Sequence, residues 1–214
     1  MVESAPLIRE AEVAGWVIEA EFVAPGVGPV SSAPVFELAD GVLERVASTV
    51  HPQPNLAVVT VPADARADLA AARLVVVADR LNDPGNLGTI MRSSEAAGAD
   101  AVVLTPGSVD PYNPKVVRSS AGALFHVPIL EATLGEVARH GLRLVGTSSH
   151  RGIAHTEFDW SGRVAVVLGS EAQGLDDEAE LDAWVRIDHP GRAESLNVAM
   201  AATILVFEAA RRPT

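Results

Sequence analysis

Three glycine-bearing segments carry polar side chains able to do chemistry. Residues 81–92 read LNDPGNLGTIMR, residues 168–175 read LGSEAQGL and residues 189–197 read HPGRAESLN. They hold an amide and a guanidinium (Asn86, Arg92), a carboxylate (Glu171), and a hydroxyl with a second amide (Ser195, Asn197). Each follows a short apolar run, at 74–78, 164–168 and 184–187. Loops in such places bind the ligands of parallel sheets. Familiar phosphate and nucleophile signatures do not fit. Gly85 and Gly88 give GxxG rather than GxGxxG, there is no GKS or GKT loop, and Gly169-Ser170-Glu171 lacks the GxSxG frame. Taken alone, each glycine is a turn residue, Arg92 a surface helix residue, Ser195 the cap of the last helix and Asn197 part of its surface.

The elements that must position these residues are regular from about residue 73 onward. Strands are expected at 74–78, 101–104, 142–146, 164–168 and 184–187, and helices at 87–97, 114–121, 134–140, 176–181 and 195–212. That alternation predicts an α/β fold with a parallel sheet covered on both faces. The turn at Pro84–Gly85 reverses the chain, and Asn86 starts the next helix, capping it or holding a substrate group. Gly98 closes that helix. Before residue 70 the pattern is a smaller α/β unit: a helix at 6–15, strands at 16–24 and 56–61, and a helix at 37–47 between them. The division expected is 1–65, a linker at 66–72, and 73–214.

Composition removes several function classes. With no cysteine there are no disulfides, thiolate metal sites or thiol nucleophiles. Six histidines are scattered, so no metal site is expected. The longest apolar run, 198–207, is about half the ~20 residues of a membrane span. Acidic residues near the N-terminus, where a secretory signal would be basic, lead us to expect a cytoplasmic protein. The net charge is −12, and residues 1–70 carry ten acids against Arg9, Arg45 and Arg66. Bulk attraction to nucleic acid is therefore not expected. Lys115 is the single lysine; the other basic residues are arginines, suited to forked phosphate contacts.

The motifs NxGxxxR at 86–92, LGSExxG at 168–174 and SLNV at 195–198 resemble, in order and separation, the three motifs of the SpoU (TrmH-like) ribose 2′-O-methyltransferases of the SPOUT class. Residues 111–128 (PYNPKVVRSSAGALFHVP) are similar to a further family segment, so the resemblance spans 73–212. Residues 1–65 resemble the small ribosomal-protein-like RNA-binding domain that many members carry. In VESAPLIREA, Ser4 stands where the family usually has glycine. The resemblance implies a parallel sheet with a C-terminal trefoil knot, a homodimer, and S-adenosylmethionine as cofactor, held by Leu168, Gly169, Ile187, His189, Ser195 and Leu196. His189 stands where an apolar residue is common. Backbone groups of such loops can read adenine, so Gly169→Val is expected to block close approach of the ligand.

The implied chemistry is methyl transfer to a ribose 2′-hydroxyl in structured RNA, ribosomal RNA first and transfer RNA as the alternative. Asn86, Arg92, Glu171, Ser195 and Asn197 match the catalytic positions. The family's arginine is proposed to take the hydroxyl proton. A guanidinium stays charged, so it could instead favour the ionised hydroxyl and hold the adjoining phosphate. Glu171 could orient Arg92 or accept the proton itself. Arg9, Arg45, Lys115 and Arg118 are candidate RNA contacts. The rival reading is a non-catalytic RNA-binding or ribosome-assembly protein of the same fold.

Overall fold

The structure is a computed structural model that describes residues 1–62, 67–176 and 178–211. The first part of the chain forms β1 (Val2–Glu3), α1 (Ala5–Val13), β2 (Ile18–Val23), β3 (Val35–Glu37), α2 (Leu43–Val46) and β4 (Asn55–Val59). Its four strands lie in the order β1-β4-β2-β3, with β4 antiparallel to both neighbours and β3 parallel to β2. Ser4 turns the chain into α1 at φ +99, the left-handed region that favours glycine. Side chains Leu7, Ile8 and Ala11 of α1 are buried.

The remainder forms β5 (Leu74–Ala78), α3 (Pro84–Ala96), β6 (Ala101–Leu104), α4 (Pro114–Ser119), a 3-10 turn (Ala123–Phe125), β7 (Ile129–Glu131), α5 (Leu134–Arg139), β8 (Arg143–Ser148), β9 (Ile153–Ala154), β10 (Val164–Leu168), β11 (Ala183–Arg186) and α6 (Val198–Ala210). These seven strands are ordered β7-β6-β5-β10-β8-β11-β9 and every pairing is parallel. Strands β5, β6 and β10 are buried throughout, as unbroken branched runs should be between two layers. Along β5 the pleat sends Leu74, Val76 and Ala78 into the cluster containing Leu87, Met91, Ala202 and Leu205 of α3 and α6. Val75 and Val77 join Val137 of α5 on the other face. Each fully buried branched side chain contributes about 1.5–3 kcal/mol.

Local chemistry sets the helix ends. Asp83, not Asn86, caps α3: its carboxylate accepts the Asn86 N–H at 2.8 Å, with Pro84 in the first turn. Gly98, at φ +72, follows the other end. Asn197, not Ser195, caps α6, accepting from Ala199 and Met200 N–H, so that helix begins at Val198. Its expected end, Arg212, lies outside the described residues. Gly88 lets α3 and α4 touch: a Cβ there would sit 2.7 Å from the Ser120 nitrogen, and closer to the Ser119 hydroxyl.

Two expected helices are corrected. Over 37–47, Glu37 belongs to β3, and a turn with Gly41 at φ +75 leaves only the single turn of α2. Over 176–181 the described residues form no helix, and Asp177 lies outside them. Asp182 instead exchanges bonds with Leu144, accepting its N–H at 2.7 Å and donating at 3.0 Å, which draws the chain straight into β11. The boundary at 65/66 lies outside the described residues. Residues 67–72 pack on the sheet through buried Leu69 and Ala72. The two sheets meet at Trp16, whose Nε1 donates to the Phe125 carbonyl at 3.1 Å and whose ring stands edge-on to Phe125.

Candidate active site

The loops leaving the carboxyl ends of β8, β10 and β11 face one another. Residues 147–151, 169–175, Ile187, His189 and 195–198 contribute to a cleft of about 600 Å³, floored by Val185 and by Ala201 and Leu205 of α6. Of the six residues expected to hold a cofactor, Gly169, Ile187, His189, Ser195 and Leu196 line this cleft. Leu168 does not: its side chain is fully buried, and its carbonyl accepts the Asp79 N–H at 2.7 Å.

The structure adds a reason for glycine at 169 that does not involve a ligand. A Cβ there would lie 2.5 Å from the Gly174 carbonyl oxygen, and closer still to Gly174 C and Leu175 N. The loop therefore closes on its own backbone at this point, fastened by Gly174 N–H donating to Ser170 at 2.9 Å. Glycine is required before any ligand arrives. His189 is likewise turned onto its own loop, Nδ1 lying 3.0 Å from the Ile187 carbonyl and Nε2 2.8 Å from that of Ala193. Both neighbours are acceptors, so they favour the doubly protonated ring and hold the imidazole above its usual range, with Asp188 adding to the effect.

At the cleft mouth three distant segments are joined. Asn86 Nδ2 donates to Glu171 Oε1 at 2.9 Å, and Asn197 Nδ2 donates to Asn86 Oδ1 at 3.0 Å. The Asp83 N–H also reaches Glu171 Oε1, at 3.3 Å. Partial burial pushes the Glu171 carboxyl up, but bonds from the Asn86 side chain and from backbone N–H groups outweigh it and hold the group below its ordinary value. Glu171 is thus ionised at neutral pH, and it is the one carboxylate lining the cleft among the described residues. Ser195 lines the cleft beside this chain of bonds. Lys115 Nζ stands 3.5 Å from Asp83, the cap that holds Asn86.

Arg92 is elsewhere. Six residues beyond Asn86 on α3, it lies about 9 Å farther along the helix and about 240° around it. It opens on a second cavity, of about 360 Å³, with Glu10, Glu95, Gly122 and His126. Among the described residues its side chain makes no hydrogen bond or ion pair, so Glu171 does not orient it within one chain. The candidate RNA contacts are dispersed. Arg9 is exposed on α1; Arg45 is exposed and donates to the Gly41 carbonyl; Arg118 donates to the Ser48 hydroxyl, bridging the two sheets' units.

Sequence reasoning missed Arg151 and Trp184, which both line the cleft, the guanidinium lying 3.5 Å above the indole. An arginine just past a strand and a tryptophan in another strand carried a signal only once those strands were known to be neighbours. Among the described residues no group of three or more His, Asp or Glu could hold a metal ion.

Residues 73–207 match the family model described as the SpoU rRNA Methylase family. The chain is 38% identical over 180 residues to the 23S rRNA (guanosine(2553)-2′-O)-methyltransferase RlmP of Bacillus subtilis, covering 80% of this chain and 71% of that protein. It is 37% identical over 175 residues to the 23S rRNA (uridine(2479)-2′-O)-methyltransferase of Streptomyces viridochromogenes, covering 75% of this chain and 61% of that one. Among solved structures, the SpoU methyltransferase AviRb of Streptomyces viridochromogenes in complex with AdoMet superposes with a TM-score of 0.87 at 31% identity, over 98% of this chain and 88% of that one. An AdoMet-bound rRNA methyltransferase from Sinorhizobium meliloti gives 0.84 at 30% identity, over 98% and 86%.

Proposed function

We propose, from the premise that this chain belongs to the SpoU rRNA methylase family, that the cleft and its polar rim carry out ribose 2′-O-methylation. The protein is an S-adenosylmethionine-dependent RNA 2′-O-methyltransferase acting on ribosomal RNA. The observation that carries the site reading is the chain of bonds Asn197–Asn86–Glu171, which ties all three motifs together over the cleft.

The cleft suits the cofactor. Its volume lies in the range of small-molecule sites, and it offers apolar surface at Trp184, Val185, Leu196 and Leu205 with a single fixed carboxylate to complement a cation. When bound, S-adenosylmethionine supplies an electrophilic methyl group on a sulfonium. Gly169, Ile187, His189, Ser195 and Leu196 would hold it. Asn86 fixes Glu171 in its ionised form, and Ser195 and Asn197 present a hydroxyl and an amide beside the ribose. Arg92 favours the ionised 2′-oxygen and holds the adjoining phosphate. Placing these groups before reaction is the main source of rate. With its pKa held low, Glu171 is a weak base; its role is to keep charge and geometry fixed, and the 2′-proton leaves to water or phosphate.

The same reading makes the protein a homodimer, with Arg92 serving the partner's cleft. Two observations support it. Arg92 lines the second cavity rather than its own cleft, and its side chain has no hydrogen-bond or ion-pair partner among the described residues. Met200, Ile204 and Phe207, spaced along one face of α6, are 56%, 39% and 42% exposed, an apolar stripe that a second copy would cover. The stripe is therefore surface rather than core. Residues 1–65 form a small unit and 73–214 the methyltransferase unit in this proposal, which also includes the trefoil knot. Support for the knot is that α6, after β11 near one sheet edge, packs back on α3, β5 and β10. No helix of the described residues is long and apolar enough to cross a membrane, and a cytoplasmic site of action accords with an RNA substrate.

The test is transfer of labelled methyl from S-adenosylmethionine to ribosomal RNA, followed by mapping of the 2′-O-methyl group. Arg92→Ala and Glu171→Gln should each abolish transfer. Mixing the two variants should restore about a quarter of wild-type activity if each site draws on both chains of a dimer. No recovery, or a monomer by light scattering with full activity, would refute the shared site.

A further inference from the structure

We propose that the free edge of β3 takes up an extended, lysine- and arginine-rich polypeptide segment as a fifth strand, a protein-docking surface apart from the methyl-transfer cleft. The first observation is an unpartnered backbone. Strand β3 is the outermost strand of its sheet. On its inner side the Pro34 carbonyl accepts from Glu21 N–H, and Leu38 N–H donates to the Val23 carbonyl, each at 2.9 Å. In a parallel ladder alternate residues bond to the same neighbour. Residues 34, 36 and 38 therefore face β2, and the N–H and C=O groups of Val35 and Glu37 face outward. Among the described residues nothing pairs with them.

The second observation is apolar surface beside that edge. Phe36 is 53% exposed and stacks on Phe22 across the strand pair, ring centroids 5.6 Å apart at 26°. Val35 is exposed too. An added strand would set alternate side chains over the Phe22–Phe36 face, so the segment that fits alternates apolar with charged residues.

Charge then selects among occupants. Glu37, at the end of β3, and Asp40 and Glu44, just beyond it, are exposed, against Arg45 alone. Residues 1–62 as a whole hold eight acids against Arg9 and Arg45. A phosphate backbone is repelled here, and a second copy of this chain would bring like charge to like charge. A basic polypeptide meets complementary charge, an aromatic pair and open hydrogen-bonding groups at once. The proposal does not rest on the methyl-transfer reading.

The experiment uses the whole protein and a short synthetic peptide of alternating valine and lysine, with a valine–glutamate peptide as control. Calorimetry should show one-to-one binding of the basic peptide only, and hydrogen exchange should slow at the Val35 and Glu37 amides. Phe36→Ala and the double variant Asp40→Lys/Glu44→Lys should each weaken binding about tenfold or more, with the circular dichroism spectrum and methyl transfer unchanged. Equal binding of both peptides, binding that survives these variants, or protection elsewhere would overturn the proposal. So would protection of the same amides by a short oligoribonucleotide, or by raising the protein concentration without peptide.

Discussion

Replacing Gly169 by alanine tests whether the second-motif loop is built around its own closure or around the ligand. The added Cβ would lie 2.5 Å from the Gly174 carbonyl oxygen and closer to two further backbone atoms. Ordinary contact is about 3.5 Å, so the loop must open by about 1 Å. Backbone rather than a flexible side chain has to move, and the Gly174–Ser170 bond at 2.9 Å is lost with it. Overpacking of this kind costs about 1–3 kcal/mol. Spread over a domain of this size, that lowers Tm by about 2–12 °C in the ligand-free protein. If the cofactor must close the loop again, affinity falls by about 5- to 150-fold. Differential scanning fluorimetry without ligand and calorimetric titration with S-adenosylmethionine measure the two effects separately. A normal Tm with weakened binding would show that the glycine serves ligand approach, and would refute the loop-closure reasoning. Unchanged values for both would remove Gly169 from the argument.

Three further outcomes follow from the geometry. Arg92→Ala should leave S-adenosylmethionine affinity within about twofold of wild type by calorimetry while methyl transfer is lost, because Arg92 does not line the cleft proposed to hold the cofactor. His189, whose pKa is raised by its two carbonyl partners, should brace the 187–193 loop fully below its unfolded value of about 6.5 and lose that brace as pH rises through the higher folded value; cofactor affinity titrated across this window should fall in wild type and stay flat in His189→Ala. Glu21 is fully buried, and bonds from Ser31, Asn55 and Val30 outweigh burial to hold its carboxyl below the usual range. Its contribution is present above the unfolded carboxyl value and lost as pH falls through the lower folded one. Glu21→Gln should therefore destabilise by about 1–3 kcal/mol at neutral pH, with the gap to wild type closing in acid, as read by thermal unfolding at several pH values.

The sequence by itself determined the parallel sheet, because buried central strands need unbroken branched runs. Those at 74–78, 101–104 and 164–168 became β5, β6 and β10 with the same bounds. It also determined the family, since three multi-residue motifs in register are readable without coordinates. It did not determine edges and short elements. The edge strands β7 and β9 have three and two residues, too few for a periodicity, and the helix expected over 37–47 shrinks to α2 because an apolar spacing says nothing of the positive φ at Gly41. Only the tertiary structure decided how the site is shared out. Asn86 was legible as a helix-start residue, but Asp83 takes the capping role and frees its amide for Glu171 and Asn197, which are 85 and 111 residues away. Gly169 was legible as a required glycine, but its reason, the backbone of Gly174 and Leu175, exists only after the loop has closed. Arg92 belongs to the same motif as Asn86, yet the turn of α3 sends it to another cavity. Motif spacing fixes which residues lie near one another along the chain; the direction each side chain takes depends on helix rotation and on partners brought from distant strands, and those are properties of the packed molecule.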